Sequence, residues 1–87
     1  MTDTAATGDE HEKEYRIVVN GEPKVVRSDV VTFDEAVRLA YGKIEPDTLY
    51  SITFEKAEKP TEGELRKGEH VIVKDGTEFD VERTGKS

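Results

Sequence analysis

Few residues in this chain of 87 could do chemistry alone. It holds no cysteine, which excludes a thiol nucleophile, a thiolate metal site and a disulfide. Its two histidines, His11 and His70, stand far apart in a polar N-terminal stretch and at the start of an expected strand. Ser51 and Thr53 have no positioned base that would activate a hydroxyl. Glu55, Glu58, Glu62 and Glu64 are numerous but lie in a polar run, and read as a solvated face. Gly63, Gly68 and Gly76 are spaced as turn glycines, not as a phosphate loop opening a helix. No cluster has the spacing of metal ligands. The expectation is a protein that is not an enzyme and holds neither metal nor cofactor.

The composition bounds what could position such residues. Eighty-seven residues suffice for one small domain. With 33% apolar and 38% charged residues, the core must be thin and the surface densely ionic. The net charge is −7, and residues 1–14 carry Asp3, Asp9, Glu10, Glu12 and Glu14 against Lys13 alone. No basic footprint for a phosphate backbone exists, so nucleic-acid binding is not expected. Met1 to Gly8 has neither the basic nor the apolar region of a signal peptide. No apolar run approaches the ~20 residues of a membrane helix. A cytoplasmic protein with no membrane partner is the expectation, and the lack of cysteine fits a reducing compartment.

Residues 1–13 read as a disordered acidic arm, too polar to offset the entropy of ordering. Tyr15, Ile17 and Val19 then alternate with Arg16, Val18 and Asn20 at the period of a strand. Asn20-Gly21 tolerates positive φ at both positions and predicts a hairpin. A second strand is expected over Lys24–Ser28, with Pro23 at its start. Thr32-Phe33-Asp34-Glu35 is a capping box, and Phe33, Ala36, Val37, Ala40 and Tyr41 follow on one helical face. Gly42 supplies the left-handed end. A third strand spans Leu49–Glu55 with Tyr50, Ile52 and Phe54 on one face. Glu55–Lys67 reads as a long surface loop with a helical turn near Leu65. His70–Lys74 reads as a fourth strand, Asp75-Gly76 as a second hairpin turn, and Phe79 and Val81 mark a fifth strand. The expected core is Ile17, Val19, Val25, Phe33, Ala36, Val37, Ala40, Ile52, Phe54, Leu65, Val71, Val73, Phe79 and Val81.

One helix is too few for repeated βαβ units. The order predicts an α+β fold, a β-grasp with a mixed sheet of four to five strands and one helix packed across one face. The domain is expected over residues 14–83, with a flexible C-terminal tail at 84–87.

Leu65, Gly68, the Val71-Ile-Val-Lys-Asp-Gly76 segment, Phe79, Val81 and the Thr84-to-Ser87 end resemble the prokaryotic multi-ubiquitin domain family. Tyr15-Arg-Ile-Val-Val-Asn-Gly21 and the Phe33–Ala40 helix follow its pattern more loosely. The resemblance covers residues 14–87 and implies a ubiquitin-like fold. This chain lacks the internal repeat of tandem members. The resemblance further implies a bacterial protein modifier whose partners are ubiquitin-activating-like and conjugating-like enzymes, and a metalloprotease resembling a deubiquitinase. Antiphage defence is a role that operons of this kind suggest and that no residue here carries.

A modifier of this kind reacts through its C-terminal carboxylate, so the resemblance places the working residues at Thr84, Gly85, Lys86 and Ser87. Glycine near the end lets an enzyme approach the backbone closely. The departure is the missing Gly-Gly. Either Lys86 and Ser87 are removed to expose Gly85, or the Ser87 carboxylate itself reacts. The bland alternative is an ordinary terminus. A non-covalent adaptor is the second functional reading. A sulfur carrier ranks last, because it needs a terminal Gly-Gly. Val18, Val26 and Ile72 are expected together on the helix-free sheet face, as a small apolar partner surface.

Overall fold

The computed structural model describes residues 13–86. The expected acidic arm, except Lys13, and the terminal Ser87 lie outside the described residues. Eight elements follow in order: β1 (Tyr15–Val19), β2 (Glu22–Val26), β3 (Val30–Thr32), α1 (Phe33–Tyr41), β4 (Thr48–Glu55), β5 (Gly63–Leu65), β6 (His70–Ile72) and β7 (Glu78–Lys86). Five strands form one sheet in the order β2-β1-β7-β4-β5, and β3 and β6 form a separate two-stranded sheet. β1 and β7 run parallel, while the other neighbours in the large sheet are antiparallel. A hairpin, a crossover helix and a last strand returning beside the first give the ubiquitin-like β-grasp.

Local chemistry explains the first half. Asn20 (φ 53°) and Gly21 (φ 81°) form the two-residue turn that places Val19 opposite Glu22. The Thr32 hydroxyl accepts from Glu35 N–H at 3.2 Å, and the Glu35 carboxylate accepts from Thr32 N–H at 3.0 Å. This reciprocal cap stabilises the start of α1 by about 1 kcal/mol. Gly42 ends the helix in the left-handed region at φ 85°. Phe33, Ala36 and Val37 face inward, against Ile17 and Val19 of β1, Ile52 and Phe54 of β4, and Phe79 and Val81 of β7. A nine-residue helix is marginal in isolation, so this packing holds it.

The structure corrects several expectations. The second strand begins at Glu22, and the tight turn puts Val25 outward at 54% exposure while Val26 packs against the core. Ala40 lies at the core's edge, and Val31 and Ala57 are buried in addition to the expected set. Leu65 is not in a helical turn. Gly63–Leu65 pairs with β4 as the edge strand β5, placing Leu65 opposite Ile52. The fourth strand leaves the large sheet: β6 pairs with Val30–Thr32, and its Ile72 also bridges Lys59.

Asp75-Gly76 is consequently a turn but not a hairpin. It docks on β1, where Arg16 N–H donates to Asp75 Oδ1 at 2.9 Å and Gly76 N–H donates to Arg16 C=O at 2.7 Å. Thr77 beside it is fully buried. Its hydroxyl accepts from Lys74 N–H at 3.0 Å and lies 2.8 Å from Lys74 C=O and 3.0 Å from Lys56 C=O. Pairing a buried hydroxyl in this way removes a penalty of about 1–3 kcal/mol.

Candidate functional site

β7 carries both the core and the chain's end. Phe79 and Val81 are buried, with Phe79 lying 6.0 Å centroid to centroid from Phe54. At Glu78 and Phe79 the strand is flanked by β1 and β4 together. β1 ends at Val19, and Asn20 takes over its role for two more residues. Asn20 Oδ1 accepts from Val81 N–H at 2.7 Å, and Asn20 Nδ2 donates to Val81 C=O at 3.1 Å. Tyr41 at the end of α1 gives the same carbonyl a second donor, its hydroxyl, at 2.9 Å.

From Glu82 onward, the large sheet pairs β7 on the β4 side alone. Arg83 lies opposite Tyr50, and its guanidinium stacks 5.2 Å from the Tyr41 ring centroid. Arg83 Nη1 also stands 3.7 Å from Glu45 Oε1. Glu45 is itself held: its N–H donates to the Tyr50 hydroxyl at 3.1 Å, and Thr48 Oγ1 donates to its carboxylate at 3.2 Å. The cation is half exposed, so the ion pair is worth less than about 1 kcal/mol and the stacking a similar amount. Arg83 thus pins the strand lightly just before the candidate tail.

The tail residues do not leave the domain at residue 84. Gly85 pairs with Leu49 and Lys86 with Thr48, three residues beyond the expected domain boundary. Between Arg83 and Gly85 the register shifts, leaving Thr84 as the extra residue of a bulge. Gly85 has φ 153°, a region that residues with a Cβ rarely enter. Its glycine therefore has a backbone reason for being there. Thr84 and Gly85 are exposed, and an added Cβ at Gly85 would meet nothing within 4 Å.

The three expected partner-surface residues do not meet. Val18 points outward with Arg16, and across the hairpin its opposite number is Pro23. Val26 pairs with Tyr15 and packs inward. Ile72 belongs to the small sheet. On β1 and β2 the apolar residues of the helix-free face are Val18, Pro23 and Val25, with the cation Arg16 opposite Val25. Toward β7, β4 and β5 that face carries acids. Asp80 lies opposite Thr53, Glu82 opposite Ser51, Glu78 opposite Glu55, and Glu64 opposite Thr53 on the far side. Lys56 and Arg66 each offset one of these acids, Lys56 Nζ at 3.3 Å from Glu78 and Arg66 Nη2 at 3.1 Å from Glu64.

Among the described residues no group of three or more His, Cys, Asp or Glu could hold a metal ion, and His70 is exposed at the start of β6. No helix among them is long and apolar enough to cross a membrane. Tyr41, Glu45 and Arg83 form a unit that the sequence does not announce. Their one available signal was an aromatic at the helix end and a cation after the last apolar strand residue.

A family model described as Multiubiquitin matches residues 15–85, from the first residue of β1 to the bulge glycine. No curated protein and no solved structure matches the chain.

Proposed function

The chain belongs to the multiubiquitin family, and from that membership we propose that it is a protein modifier, activated at its C-terminal tail and conjugated to a target. Thr84, Gly85, Lys86 and Ser87 are the residues that enter the activating enzyme. The partners are an activating enzyme and a conjugating enzyme of the ubiquitin type, with a deubiquitinase-like metalloprotease as the removing activity. The protein itself supplies no catalytic group. The work is cytoplasmic in this reading.

The observation that carries the proposal is the division of β7. Its first half is clamped between two strands by buried Phe79 and Val81. Beyond it Thr84 and Gly85 are exposed, Thr84 as a bulge, and Gly85 and Lys86 pair on the β4 side alone. An activating enzyme needs an extended, narrow segment to thread into its site. Detaching Thr84 to Lys86 from β4 exposes such a segment without disturbing the core, because none of the buried apolar residues lies beyond Val81.

Incubation of the purified protein with its cognate activating enzyme and ATP tests this by intact-mass spectrometry. An adenylate or an enzyme adduct through the tail is expected. The mass of the adduct also decides whether Lys86 and Ser87 are retained. An adduct that persists unchanged after deletion of residues 84–87 sinks the tail assignment.

A non-covalent adaptor is the second reading, and the pairing of Gly85 and Lys86 with β4 favours it. A tail used only as the end of a strand has no need to come free. This reading expects the tail-deleted protein to keep full partner binding.

A further inference from the structure

Glu45 joins the two parts that close the tail against the sheet. Its Oε1 is 3.2 Å from Thr48 Oγ1, on the strand that receives the tail, and 3.7 Å from Arg83 Nη1, at the tail's root. Its N–H is fixed by the Tyr50 hydroxyl, and the Tyr50 ring lies 5.9 Å from that of Tyr41, on which Arg83 stacks. One carboxylate oxygen thus ties the slot at Thr48 to the segment that fills it. Glu45 and Thr48 are half-buried and Leu49 is 49% exposed, so little apolar area holds the tail shut.

The closed tail has only one free flank. With Gly85 on Leu49 and Lys86 on Thr48, β4 runs beside it at the ~4.8 Å spacing of neighbouring strands. An active site that surrounds an extended chain needs both flanks. Released back to Glu82, residues 83–87 span about 17 Å as a single extended segment. None of the buried apolar residues lies in that stretch. The closed and open states differ by an ion pair, a stacked ring and a few strand hydrogen bonds, all near water. A difference of that kind leaves the open state populated as a minority.

We propose that this closure is an autoinhibitory clasp, with Glu45 as the positioning residue that sets how often the tail is free. The clasp rests on the modifier reading above, since it governs when the tail enters the activating enzyme. An enzyme that takes only the open state binds with an affinity lowered by the open fraction. Weakening the clasp raises that fraction and speeds activation. Fixing it closed stops activation while the core stays folded.

The test ties the tail down covalently. Thr48 and Lys86 are directly opposed, and Cα atoms so paired lie about 4.5–5.5 Å apart, within reach of a disulfide. The chain has no cysteine of its own, so Thr48→Cys with Lys86→Cys supplies the only two thiols. The full chain carrying both is compared, oxidised and reduced, in ATP–pyrophosphate exchange by the cognate activating enzyme. In that reaction a tail carboxylate oxygen bonds the α-phosphorus of ATP and pyrophosphate leaves. The oxidised form is expected to lose exchange about a hundredfold or more, and to regain it on reduction. Where Lys86 and Ser87 are trimmed first, the oxidised form resists the trimming protease by the same margin. Glu45→Ala lies outside the tail. It is expected to speed activation at subsaturating protein, and hydrogen exchange of the Gly85 amide, by about two- to fivefold, with Asp80 unchanged. A folding defect would move Asp80 as well. Oxidised and reduced forms activated alike overturn the clasp alone, because the tail then reacts while paired. Gly85 exchange unaltered in Glu45→Ala overturns it too. No pyrophosphate exchange from the unsubstituted chain and the reduced variant alike overturns the modifier reading itself, and the clasp falls with it.

Discussion

The two halves of β7 share one strand and differ in almost every physical respect. From Glu78 to Val81 it is flanked on one side by β4 and on the other by β1 and the Asn20 amide. Phe79 and Val81 there are 3% and 2% exposed, which makes this half part of the core. From Glu82 to Lys86 it has β4 as its one strand partner, a bulge, and a lightly held stacked arginine. Under the proposed function, the end of this domain need not be a free tail, only one held by interactions weak enough to release while the core stays folded.

Substitutions along the strand sharpen the contrast, from large effects to small. Phe79→Ala removes a buried ring packed on Phe54, and a loss of about 3–5 kcal/mol in urea unfolding is expected. So small a domain will be substantially unfolded by that change. Asn20→Gly keeps the positive φ of the turn but leaves the Val81 N–H without its acceptor. Stability falls by about 1–3 kcal/mol, read by the same titration. Tyr41→Phe removes one of two side-chain donors to Val81 C=O while leaving the ring under Arg83, and costs about 0.5–1 kcal/mol. Gly85→Ala forces a Cβ into φ 153°, and the strain is relieved by the last residues leaving β4. Global stability then changes by less than about 0.5 kcal/mol. The amide of Lys86 exchanges faster all the same. A Gly85→Ala loss as large as that of Asn20→Gly would erase the distinction between the two halves.

The fold was legible where a local signal and the global pattern agree. Asn20-Gly21, the Thr32–Glu35 capping box, Gly42 and the inward sets of β1, β4 and β7 each carry their own chemistry. Val25 against Val26 was decided by register, not by hydrophobicity. Counting from the two-residue turn pairs Val26 with Tyr15 and sends Val25 outward. β5 was hidden because Gly63-Glu64-Leu65 has a single apolar residue. Its Gly63 lies opposite Phe54, whose ring is 3.7 Å from where a Cβ on Gly63 would sit. β3 was hidden because Val30-Val31 runs directly into the capping box, and β6 because nothing local states which sheet a strand joins. At the tail, Thr84-Gly85-Lys86 has no apolar residue to signal a strand, so its pairing with Thr48 and Leu49 came from the backbone alone. The acidic sheet face follows from alternation once the register is known.

Native-state hydrogen exchange along β7 tests the division most directly. The amides of Asp80 and Val81 should exchange only through global unfolding. Those of Gly85 and Lys86 should exchange faster by about a hundredfold or more, through a local opening insensitive to denaturant. Equal protection along the whole strand, rising and falling together with denaturant, would contradict a releasable end.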